Sequence, residues 1–143
     1  MTKSSILQRF ASYGLVRDAE SVLMVRIGPS SKDDHGRWIL PGGRIEHGEH
    51  PRDTVVREFK EETGYDVAVV RLLDIDAEHR MLSTGLDLHA VFCLFEVRIT
   101  GGKLTHVGHS GADASAWIAI ADLPTLPVLP PVRAALHRYI GDV

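Results

Sequence analysis

Pro51 and Gly64 bracket a 13-residue stretch, PRDTVVREFKEET, that leaves the chain little choice of local structure. Proline suits the first turn of a helix, and glycine suits the left-handed stop just beyond its end. At about 100° per residue, Val55, Val56 and Phe59 share one apolar arc. Glu58, Glu61 and Glu62 share the arc beside it, and Lys60 points elsewhere. Two of these glutamates occupy the last turn, where the helix dipole is negative and carbonyls lack partners. Glu58 also lies three and four residues from Glu61 and Glu62, the separations at which like charges repel. Two readings account for the pattern: a solvated acidic face, or carboxylates at the edge of a buried face that collect a cation. A hard divalent ion such as Mg²⁺ matches an all-oxygen set of this kind.

The rest of the chain reads as strands around that helix. YGLVRDAESVLMVRI divides into two partly alternating strands joined by a turn around Arg17–Glu20. GRWIL is a short strand ending at Pro41, and LPGGRIEHGEH is a loop. DVAVVRLLDI and LDLHAVFCLFEVRI are strands rich in Val, Ile, Leu and Phe, with a turn at Gly101-Gly102. SAWIAI is a last strand, and PPVRAALHRYI is a closing helix opened by proline. Strands flanking one central and one terminal helix predict an α/β sandwich, with residues 1–143 as one domain.

Composition narrows the partners. A net charge of −3 disfavours a nucleic acid polymer or an anionic membrane surface, but a small anionic substrate needs only a local cation. No apolar run reaches about 18 residues and the first ten residues carry no secretory h-region, so a cytoplasmic protein is expected. The lone Cys93, within HAVFCLFEV, reads as core filling.

From Gly43 the chain runs Gly, five residues, Glu49, seven residues, Arg57-Glu58, two residues, Glu61-Glu62, one residue, Gly64. This resembles the signature of the Nudix hydrolases, matching all seven fixed positions across residues 43–65. At roughly 6% usage per residue type, chance agreement at one starting point is about 10⁻⁹. The two bulky aliphatic positions hold Phe59 and Tyr65 instead.

The resemblance implies an α/β/α sandwich with a mixed β-sheet, in which this box forms a loop–helix–loop. It implies hydrolysis of a nucleoside diphosphate linked to a further group, with Mg²⁺ or Mn²⁺. Glu58 and Glu62 would be principal metal ligands, and Glu61 a further ligand or the general base, with the roles of Glu58 and Glu61 exchangeable. The Gly42 carbonyl would complete the coordination. Arg57 would orient the carboxylates against Glu49 and Glu61. Gly43 and Gly64 would be structural. A homodimer is one assembly the family allows.

Outside the box, Arg26 matches a place where relatives carry a phosphate-contacting base, and is equally readable as a solvated strand end. Trp38 is a base-stacking candidate or core. Asp113 or His109, in HVGHSGADASAW, stands where many relatives carry another acidic residue, and His79 lies on a predicted loop near substrate. Arg80, Met81 and Leu82 carry neither the proline of ADP-ribose hydrolases nor the tyrosine of dinucleoside polyphosphate hydrolases. That leans toward a MutT-type (deoxy)nucleoside triphosphatase. The alternative is a non-catalytic nucleotide or sugar-nucleotide sensor on the same fold, though such proteins often lose glutamates that are all present here.

Overall fold

The computed structural model describes residues 5–105, 111–141 and 143. In chain order the strands are β1 (Ile6–Leu15), β2 (Arg17–Asp18), β3 (Ser21–Ile27), β4 (Trp38–Ile39) and β5 (Gly42–Arg44). Helix α1 (Pro51–Thr63) follows, then β6 (Tyr65–Met81), β7 (Asp87–Gly102) and β8 (Ala112–Ala119). A 3₁₀ turn (Ile120–Thr125) leads to helix α2 (Pro130–Ile140).

One sheet has the order β5-β1-β7-β6. It is mixed, because β1 runs parallel to β7 and antiparallel to β5, while β6 and β7 are antiparallel. The second sheet is built on β3, antiparallel to β2, β4 and β8. The α/β expectation therefore holds, with two sheets in place of one. Several boundaries differ. Strand β1 begins at Ile6, the Gly42–Arg44 part of the predicted loop pairs with β1, and Gly101-Gly102 lies within the β7 ladder. Strand β6 continues through Met81, so His79 sits on a strand facing His89 and not on a loop.

Helix α1 is anchored by Val55 and Phe59, both fully buried in a cluster with Leu23 of β3 and Phe95 and Val97 of β7. Val56, expected on the same arc, is exposed. Pro51 opens the helix behind His50, whose ring accepts from the Arg52 N–H. Gly64 closes it with φ 82°, where an added Cβ would meet Thr105 and the Lys103 carbonyl. A second cluster joins Ala135 and Leu136 of α2 to Met24 and Leu94. Arg138 ties α2 down through Asp74 at 3.2 Å and Asp76 at 3.1 Å. Trp38 packs against this second cluster, and Cys93 is half-buried beside the first. Among the described residues no helix is long and apolar enough to cross a membrane.

Candidate active site

Glu58 and Glu62 are one helical turn apart, on the side of α1 that Val55 and Phe59 turn toward the sheets. Their exposures are 5% and 2%, unusual burial for carboxylates. Glu61 stays half-exposed at its side chain. All three wall a cavity of about 630 Å³ together with Gly42 and Gly43, a size typical of small-molecule sites.

Strand β5 brings backbone against these carboxylates. The Gly42 N–H donates to Glu62 Oε1 at 2.8 Å. At Gly43 an added Cβ would lie 2.7 Å from Glu58 Oε1, so the lack of a side chain lets Glu58 rest on the strand. Burial, and then the Glu58 charge, push the Glu62 carboxyl well above the usual range, against the pull of the Gly42 N–H. Tyr13, paired with Gly42 across β1 and β5, is raised to about 12 by burial and then by the Glu62 charge.

Arg57 organises the other edge. Its Nε and Nη2 donate to Glu49 Oε2 and Oε1 at 2.8 and 3.0 Å. Nη1 reaches Glu58 Oε1 at 3.0 Å and Glu61 Oε2 at 3.3 Å, and Nη2 also donates to the Arg44 carbonyl at 3.2 Å. Thr54 Oγ1 and the Glu46 N–H complete the shell of Glu49 at 2.7 and 3.1 Å. The Arg57 hydrogen bond, first of all, holds the Glu49 carboxyl down at about 2. One guanidinium thus serves Glu49, Glu58 and Glu61, while Glu62 turns to a backbone amide.

Among the described residues these acids are not gathered into a ready-made three-ligand cage. The donor chemistry nevertheless fits a hard dication. Glu58, Glu61 and Glu62 offer only oxygens, two of the three are buried, and Glu62 is disfavoured in its charged form by burial and then by Glu58.

The remaining predicted residues do not join this group. Val25 and Ile27 of β3 wall the cavity, and Arg26 between them points to the opposite face of the strand. There its Nε donates to Asp113 Oδ1 at 2.7 Å, and its guanidinium lies 5.8 Å from the centre of the Trp38 ring. Asp113 is part of β8, and neither it nor Arg26 walls the cavity. His79 is exposed and pairs with Asp87 at 2.6 Å. His109 lies outside the described residues. Sequence reasoning missed Arg9, Glu78, Arg80 and Asp34, which line the cavity away from α1. The alternation of Glu78 with Arg80 along DAEHRM was the available signal, hidden by reading that stretch as a loop.

Residues 7–139 match the family model described as NUDIX domain. A Caenorhabditis elegans protein named "Putative nudix hydrolase 1" is 37% identical over 106 residues, 74% of this chain but only 26% of that protein. A Bacillus subtilis protein named "Putative 8-oxo-dGTP diphosphatase" is 29% identical over 114 residues, covering 80% of this chain and 68% of its own. The crystal structure of a MutT NUDIX hydrolase from Burkholderia pseudomallei shares the fold, with TM-score 0.69 and 24% identity across 93% of this chain and 98% of that one. With the family model covering nearly the whole chain, and the box residues gathered at one cavity, this protein belongs to the Nudix family.

Proposed function

We propose that this protein hydrolyses the pyrophosphate linkage of a nucleoside diphosphate joined to a further group, with (deoxy)nucleoside triphosphates as the leading substrates. The observation that carries the reading is the convergence of Glu58, Glu61 and Glu62 on one cavity under the control of Arg57. The name of the B. subtilis relative supports a nucleoside triphosphate.

Glu58 and Glu62, with Glu61 and the Gly42 carbonyl, would hold Mg²⁺ or Mn²⁺. Bound there, the ion supplies positive charge opposite the phosphates and acidifies water. The chain's own residues do the rest. Arg57, fixed by Glu49, holds Glu58 and Glu61 in one geometry. Glu61, the most accessible of the three, is the acceptor for the proton of the attacking water. The apolar flanks contributed by Tyr13 and Ile39 limit bulk water around the reacting phosphate.

The test is a panel of nucleotides and nucleotide sugars, with product identification, in the presence and absence of Mg²⁺. Metal-dependent cleavage at the pyrophosphate is expected. Folded protein that turns over nothing on the panel overturns the reading, and selective binding without turnover favours the sensor instead.

A further inference from the structure

The cavity has two ends of different chemistry, and strand register lays out the floor between them. Tyr13 faces Leu94 beside Gly42, at the carboxylate end. Ala11 and Phe92 come next, then Arg9, Ala90 and Glu78 in one row across β1, β7 and β6, then Leu88 with Arg80. Side chains two apart share a face, so Arg9, Ala90 and Glu78 belong to the same floor as Tyr13 and Phe92. Arg9 stands four residues from Tyr13, roughly 13 Å along the strand. A nucleotide's sugar and base fill such a span between the phosphates and the hydrogen-bonding edge of the base.

At that far end Arg80 is already committed. Its Nη1 donates to Asp34 Oδ1 at 3.0 Å, and its Nε, buried without a hydrogen bond of its own, lies at ion-pair distance, 3.5 Å, from Glu78 Oε1. Arg9 is not: its Nε is buried and, among the described residues, has no hydrogen-bond partner. Across the row, beyond the methyl of Ala90, stands the carboxylate of Glu78, whose side chain is 20% exposed. A buried donor left unmet costs free energy until a ligand meets it. A guanidinium that only donates and a carboxylate that only accepts, facing each other over a flat floor, ask for one kind of edge. It must offer an acceptor toward Arg9 and a donor toward Glu78.

We propose that Arg9 and Glu78 read the nucleobase, and that they select keto bases (guanine, hypoxanthine, uracil, thymine) over the amino bases adenine and cytosine. A keto base sets a carbonyl oxygen beside a ring N–H, which gives the oxygen to Arg9 and the N–H to Glu78. An amino base reverses both groups, turning its NH₂ on the guanidinium and a ring-nitrogen lone pair on the carboxylate. Both contacts are then repulsive. Phe92, edge-on to Tyr13 with ring centres 5.8 Å apart, supplies the apolar surface between the two ends. This assignment rests on the carboxylate end being the phosphate end.

The experiment compares kcat/KM for GTP, UTP, ATP and CTP with Mg²⁺ in the unaltered protein, Arg9→Gln and Glu78→Gln. Alongside it, calorimetry measures binding of the α,β-methylene analogues of GTP and ATP to the unaltered protein. A good paired contact discriminates by about 1–3 kcal/mol, so GTP and UTP should exceed ATP and CTP by about tenfold or more. An amide can turn either way, so each variant should narrow the preference by about threefold or more, chiefly by lowering GTP and UTP, the untouched partner keeping the remainder. Equal values for the four in the unaltered protein, or a variant that lowers all four alike, overturn the proposal. Tight binding of the guanosine analogue over the adenosine one, without turnover of any substrate, upholds base selection and overturns the hydrolase reading. No turnover and no preference in binding overturn both.

Discussion

Arg57 and Glu49 meet through two parallel hydrogen bonds, Nε to Oε2 at 2.8 Å and Nη2 to Oε1 at 3.0 Å. The pair links the loop before α1 to the helix itself, and leaves Nη1 for the buried carboxylates. Lysine has the charge but not the fork, so it cannot hold both oxygens of Glu49 and still reach Glu58. Arg57→Lys should lower kcat by about 10–100-fold, the loss typical when a group orienting metal ligands is changed. Steady-state kinetics at saturating Mg²⁺ checks this, with the fold verified by circular dichroism.

The same pair fixes a pH signature. Glu49 drops from 4.5 to about 2 on folding, so its pairing adds stability that is full above the unfolded value. That stability is lost as pH falls from 4.5 toward 2. Glu49→Gln should be about 1–2 kcal/mol less stable near neutrality, allowing for solvent screening of the pair. The gap should close as pH falls through that window. Denaturant unfolding at a series of pH values measures it, and a gap independent of pH would refute the assignment.

Glu62 is nearly sealed from solvent, and its charged form is disfavoured by burial and by Glu58. A glutamine carbonyl there still accepts the Gly42 N–H but carries no charge. Glu62→Gln should therefore be at least as stable as the native protein without metal, yet lose about 100-fold or more in turnover. Its Mg²⁺ affinity, by calorimetry, should fall with it. Unfolding of the variant would instead make the residue structural.

Gly43→Ala tests the contact between strand and helix. The new Cβ would sit 2.7 Å from Glu58 Oε1 and must push that carboxylate off β5. Turnover should drop by about tenfold or more while Tm shifts little, because the displaced group is a side-chain end.

Arg26 and Asp113 provide the opposite case. They are bonded to each other on the face of β3 turned away from the cavity, both partly exposed. Arg26→Ala and Asp113→Asn should leave KM within about twofold and cost less than about 1 kcal/mol each. A large KM increase for either would restore the substrate role their positions suggested.

How much of this was legible before the structure depended on the range of the interaction. Helix α1 announced its own limits, because Pro51, Gly64 and the Val55–Phe59 spacing are local signals. Glu49 and Glu61 as partners of Arg57 came from the resemblance of the box, while its bonds to Glu58 and the Arg44 carbonyl appear only in the structure. Strand β6 past Asp76 was not legible, since DAEHRM has no apolar alternation and is held by its ladder with β7. Its charged alternation makes sense only once one face is known to wall a polar cavity. Arg9 was invisible because its neighbours Ala90 and Glu78 are set by register with strands about seventy to eighty residues later. Arg26 stood open between a phosphate contact and a solvated strand end for a related reason: which face it serves depends on the pairing of β3.

The parallel ladder between Ile6–Leu15 and the strand that begins at Asp87 bears on how the molecule is made. During synthesis the first strand is finished long before its central neighbour exists, and closing so large a loop is slow. Until then β1 has only the short Gly42–Arg44 strand to pair with. Assembly of the cavity floor is therefore a late event in the life of each new chain. Substitutions that weaken the β1–β7 register should show themselves first as poor yield of folded protein, before any change in the rate of the finished enzyme.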